Sequence, residues 1–190
     1  MSTTTTTTSP SPAFPPQEIH QILHQVTSLL QTRNETLSIA ETAAGGLLSA
    51  SLLTVPGASK FYKGGLTLYT LPSRIVYAGW TVDTIQNYRG PTPGIVAGLA
   101  RHVRSDLEST YTLAESGTAG PTGGATPNRT PGYVALAVDC ERGCFVREVR
   151  SGVEGQGQGQ RVGNMVQFAV EGLKLLRDVL EGKEEGLEKL

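Results

Sequence analysis

The sequence predicts an α/β layered fold built on a mixed sheet. Two observations carry this: helical and strand-like stretches alternate through the first half, and a β-hairpin follows at 133–150. The 190 residues, 38% hydrophobic and only 6% aromatic, suit one domain with a core of small aliphatic side chains. Lys+Arg 16 against Asp+Glu 17 leaves a net charge of −1, without the basic excess of a nucleic-acid binder. No run approaches the ~18 apolar residues of a membrane span, and no secretory signal is evident, so a cytoplasmic protein is expected.

Residues 1–16 are a Thr/Ser/Pro tract with little to bury and are expected to be disordered. The first cation is Arg33, which excludes an arginine-rich mitochondrial presequence. Residues 17–181 read as one domain, and 182–190 as a charged, fraying tail. Ile19, Ile22, Leu23, Val26, Leu29 and Leu30 mark one face of a first helix. Thr36–Glu41 alternates as a strand, leads into Thr42-Ala43-Ala44-Gly45-Gly46, and is followed by a helix over 47–54 that Val55-Pro56-Gly57 ends. Gly65–Thr70 reads as a strand and Val82–Tyr88 as a short helix. A longer helix begins at Pro93-Gly94, with Val96, Leu99, Ala100, Val103 and Leu107 on one face. Strand Tyr111–Ser116 meets a second glycine loop, Gly117–Gly124. The hairpin is Tyr133–Cys140 with Cys144–Arg150, and a final helix spans Val162–Leu180.

Both glycine turns leave the carboxyl ends of strands, where sheets of this class bind ligands. The first opens a helix, whose free N–H groups favour an anion or a developing oxyanion, with Thr42 beside them as a candidate nucleophile. The second lets backbone approach a ligand closely. Neither is a Walker loop or a GxGxxG fingerprint. His20 and His24 lie four apart but lack the Glu of HExxH and a third ligand, and His102 reads as a surface residue. Cys140 and Cys144 are expected to be free thiols. No metal or cofactor is expected.

Ala40–Thr70 resembles the signature of the CinA C-terminal domain family, the nicotinamide-nucleotide amidases, in which AES-C-T-GG precedes a helix, VPG-S and a GG-strand. SGTAGPTGG (Ser116–Gly124) resembles the family's second motif, Gly132-Tyr133-Val134 its G-T-V strand, and Ser151-Gly152 the turn before its last helix. The resemblance covers about residues 18–180. It implies a three-layer α/β/α domain, with helices on both faces of a mixed sheet. It also implies hydrolysis of the carboxamide of nicotinamide mononucleotide to the acid plus ammonia, by a serine and a lysine without metal.

Carried over residue by residue, the family serine falls on Thr42 and, counted ungapped from the glycine pair, the lysine on Arg74. Tyr69, at a position that matches the family pattern, is a further catalytic candidate, with Tyr69 or Glu115 expected to assist Thr42. Glu41, Gly45, Gly46, Ser116, Gly117, Gly120, Gly123 and Gly124 are the implied substrate-binding residues. Thr122 and Leu71 stand where the family has Asp and Asn. Threonine attacks a carbonyl if a base is present, but arginine, with a pKa above ~12, stays protonated and is no base. It is a good phosphate ligand. Glu115 stands where the family has a small or apolar residue, open to two readings: a substitute base, or a strand residue facing solvent. Two functions therefore remain: a weakened amidase on a nucleotide amide, and a non-catalytic nucleotide-binding module. In both the partner is a small-molecule nucleotide, with no nucleic acid or membrane. The small-residue helices suit a homo-oligomer interface as readily as internal packing.

Overall fold

Six strands form one sheet in the order β2-β1-β3-β4-β5-β6 in the computed structural model, which describes residues 14–183 and 188–190. Strands β1 (Leu37–Glu41), β2 (Tyr62–Thr67) and β3 (Tyr111–Gly117) run parallel, with β1 in the middle of the three. Strands β4 (Tyr133–Cys140) and β5 (Gly143–Arg150) continue the sheet antiparallel as the expected hairpin. Where the sequence predicts only a fraying charged end, Glu188–Lys189 adds a two-residue strand, β6, beside Phe145 and Val146. The Thr/Ser/Pro tract lies outside the described residues up to residue 13.

Helices cover both faces. On one, α1 (Gln17–Arg33), α2 (Leu47–Leu53) and α6 (Gly157–Leu180) bury Ile19, Val26, Leu48 and Leu173 against Leu37, Ile39, Leu113 and Leu136 of the sheet. On the other, α5 (Pro93–Leu107) packs Val96, Leu99, Ala100 and Val103 over Ala40, Ala114, Ala135 and Ala137. The alanines explain the low aromatic content: small strand residues let a helix lie close on the sheet. Both hydrophobic stripes are those visible in the sequence, and α5 starts where Pro93 stands, capped by Thr92, whose hydroxyl accepts from Ile95 N at 3.3 Å.

Local boundaries differ. Strand β2 lies three residues earlier than Gly65–Thr70, because Thr70 is occupied as the N-cap of a helix the sequence reading lacks, α3 (Leu71–Tyr77), and accepts from Ser73 N at 3.3 Å. The Val82–Tyr88 helix is α4 (Val82–Gln86), opened by a capping box of Thr81 and Thr84. Helix α6 begins five residues before Val162, running through Gly157 and Gly159. Cys140 and Cys144 are both free and buried; they belong to the two different cores, on opposite faces of the hairpin. Among the described residues, no helix is long and apolar enough to cross a membrane.

Candidate functional site

Strands β1 and β3 are parallel neighbours, so their carboxyl ends and both glycine turns emerge on the same side. There a cleft of about 280 Å³ opens, at the small end of ligand pockets. Its floor is the second glycine loop, with Gly117, Gly120 and Gly123, and Ala43 of the first turn. Its walls are Tyr69, Tyr88 and two cations, Arg129 and Arg161. Arg161 ties two walls together: Nη1 donates to Gly120 O at 2.5 Å and Nη2 to Tyr69 Oη at 3.3 Å. The loop below is braced by Asn164, fully buried on α6, whose Nδ2 donates to Ala119 O at 2.8 Å. Glycine is required at 123, where a Cβ would stand 2.4 Å from Arg129 O.

The first turn is folded inward. Glu41 and Glu115 are in register at the ends of β1 and β3, and both are fully buried. Glu41 takes the first N–H groups of α2, accepting from Leu48 N and Ser49 N at 3.1 Å and from Ser49 Oγ at 2.7 Å. Glu115 Oε2 accepts from Thr42 N at 3.0 Å and Ala44 N at 2.9 Å. Burial pushes the Glu115 carboxyl up to about 7; the Ala44 and Thr42 amides oppose that shift and the Glu41 carboxylate adds to it. The N–H groups of Thr42, Ala44, Leu48 and Ser49 are therefore taken by the protein's own carboxyl groups rather than offered to a ligand. Glu115 faces the interior of the sheet rather than solvent.

Thr42 is 3% exposed, and its hydroxyl donates to Ser116 Oγ at 3.1 Å. Arg74, on α3, does not reach this pair. Its guanidinium is 4.9 Å from the Trp80 ring centre and 5.2 Å from that of Tyr88, and its Nε donates to Leu68 O at 3.3 Å. No hydrogen bond joins Arg74 to Thr42 among the described residues, and neither side chain lines the cleft. The cation is drawn instead into a ring box, where two π faces replace its water. Its Nη1 is buried without a hydrogen-bond partner.

Of the residues named from sequence, Tyr69, Gly117, Gly120 and Gly123 line the cleft. Thr42 and Ser116 lie one residue behind its floor. Glu41, Gly45, Gly46, Gly124 and Arg74 line none of it. Gly45 adopts φ +69 and faces Met165 of α6; Gly46 (φ +98) is the N-cap of α2, and Gly124 lies against the Arg129 side chain. Sequence reading missed Tyr88, Arg129 and Arg161. The signal for Arg161 is its place in the opening turns of the last helix, which a helix start at Val162 leaves out. Among the described residues, no group of three or more His, Cys, Asp or Glu is placed to hold a metal ion.

The pattern of the CinA C-terminal domain matches residues 19–180. The chain belongs to that family. A CinA-like protein of Amoebophilus asiaticus is 31% identical over 158 residues, 83% of this chain and 36% of the relative. A CinA-like protein of Parasynechococcus marenigrum is 35% identical over 127 residues, 67% of this chain and 30% of the relative. This CinA-type chain thus spans about a third of the length of those relatives. Solved CinA structures share its fold. A competence-damaged protein (CinA) superfamily protein of Klebsiella pneumoniae superposes with a TM-score of 0.76 at 20% identity, over 86% of this chain and 98% of the other. The competence/damage inducible protein CihA of Agrobacterium tumefaciens does so at 0.71 and 24%, over 85% and 96%.

Proposed function

We propose that this CinA-type chain is a nicotinamide-nucleotide amidase of low turnover, holding a pyridine mononucleotide in the cleft and hydrolysing its carboxamide to the acid and ammonia. The observation that carries the reading is the Thr42–Ser116 hydroxyl pair, set one residue behind the glycine floor of a cleft that bears Arg129 and Arg161. The two cations suit the phosphate and the glycines admit backbone close to the ring. Thr42 Oγ1 attacks the carboxamide carbon, the C–N bond breaks, and ammonia leaves with the hydroxyl proton. Water then hydrolyses the threonine ester, giving the acid and returning the hydroxyl.

Turnover is low because the partner of Thr42 is another hydroxyl and Arg74, over the Trp80 and Tyr88 rings, is no base. Absence of a positioned base costs roughly 10²–10⁴-fold in rate. The same caging of Arg74 favours a second reading, a nucleotide-binding module without turnover.

Ammonia release from nicotinamide mononucleotide by the purified protein, with Thr42→Ala as control, separates the two. The amidase reading expects slow, Thr42-dependent release, well under the ~10 s⁻¹ typical of enzymes. It also expects a ligand-induced melting shift equivalent to about 2–4 kcal/mol at concentrations far above Kd. A melting shift without ammonia selects the binding module. Neither signal overturns both.

A further inference from the structure

The Thr42 turn is held by a carboxyl group that no step above uses. Adjacent residues of β3 grip Thr42 from two sides: Ser116 takes its hydroxyl at 3.1 Å and Glu115 its amide at 3.0 Å. Glu115 also takes the Ala44 amide at 2.9 Å, while its own Oε1 is buried without a hydrogen-bond partner. A neutral amide side chain would accept both N–H groups at far less desolvation cost than a carboxylate. The ionisable group is therefore the feature to be explained.

We propose that Glu115 is a positioning residue for Thr42, and that ionisation of its carboxyl tunes turnover in the cleft. The proposal rests on the amidase reading and adds its regulation. In the ionised form the two N–H bonds are charge-assisted and the turn is drawn tight, fixing the Thr42 hydroxyl. In the protonated form they weaken and the turn loosens. Few other groups bear on the switch. Glu41 on β1 is the titratable neighbour in register, Leu136 of β4 pairs with Glu115, and α6 brings Met165 and Phe168 against Gly45 and Gly117 of the adjoining turns.

Burial raises the carboxyl from 4.5 to about 7, so the folded protein holds a proton that the unfolded chain has lost in that interval. The stability contributed by this group is complete below about pH 4.5 and is lost as pH rises through 7. Turnover moves the other way, rising as the carboxylate forms.

The test measures kcat and KM for ammonia release from nicotinamide mononucleotide between about pH 5.5 and 8.5. Wild type is expected to show a rise in kcat centred near 7. Glu115→Gln, which keeps an acceptor but cannot ionise, is expected to lose that inflection with KM unchanged. Glu115→Ala is expected to lose kcat about tenfold or more and to regain part of it with added formate. A Gln variant that keeps the wild-type inflection, or a change in KM rather than kcat, overturns the proposal. If wild type releases no ammonia, the amidase reading fails by itself. The turn is then decided by melting: wild type must lose stability relative to Glu115→Gln as pH rises from about 4.5 to 7, and parallel curves over that interval overturn it.

Discussion

Arg74 shows how one residue's chemistry redirects its neighbourhood. A lysine at this position would present a compact ammonium that gives up its proton when buried; the guanidinium cannot, and lies over the adjoining Trp80 and Tyr88 rings. Tyr88 lines the cleft, so Arg74 acts on the site by holding one of its walls. Arg74→Lys is therefore expected to move stability and turnover in opposite directions. Loss of the stacking and of the Nε–H bond to Leu68 O costs about 1–2 kcal/mol. Ammonia release rises, because a deprotonable amine now stands behind the Tyr88 wall of the cleft. Thermal melting and the ammonia assay read the two effects on one preparation. An unchanged melting temperature denies the ring box its role, and a fall in turnover makes the arginine itself part of the reaction.

At the level of elements, legibility tracked where the apolar residues point. Helices α1 and α5 were readable because Ile19, Val26, Val96 and Val103 repeat on one buried face. Helix α3 was not, because Val76 and Tyr77 are apolar yet 67% and 60% exposed, which blurs its period; Pro72 at its start was the surviving clue. The two glycine turns were placed correctly, but the use of the first turn's N–H groups was invisible. It depends on Glu41 and Glu115 meeting across a strand pairing, 74 residues apart in the chain. The consequence for Gly45 is a changed expectation. Sequence reading puts a ligand against it; the structure puts Met165 there, 3.2 Å from an added Cβ, on a backbone at φ +69 that a β-branched residue resists. Gly45→Val is expected to cost about 1–3 kcal/mol of stability while mononucleotide affinity in the folded variant stays near wild type. Melting and calorimetric titration check this. Lost affinity at unchanged stability would return Gly45 to the ligand wall.

On the scale of the whole molecule, the first helix closes the face of the sheet on which both buried carboxylates lie. Ile19, Ile22, Leu23, Val26 and Leu30 are all under 7% exposed, and Arg33 Nη1 donates to Leu180 O at 2.6 Å, fastening the end of α1 to the end of α6. Burial of five such side chains contributes roughly 1.5–3 kcal/mol each, an upper estimate given residual burial in the unfolded chain. Together that matches the ~5–15 kcal/mol by which a whole domain is stable. No residue before Gln17 belongs to either hydrophobic core among the described residues. Two truncations should therefore differ sharply. Removal of residues 1–13 is expected to leave the melting transition where it is. Removal of residues 1–33 strips the apolar cover from Leu37, Leu113 and Leu173 and is expected to abolish cooperative melting, with loss of mononucleotide binding as a consequence. Circular dichroism melts of the two truncated chains decide the matter: a cooperative transition without α1 would show that α2 and α6 suffice to close that face, and a large drop on removing residues 1–13 would give the Thr/Ser/Pro tract a structural role.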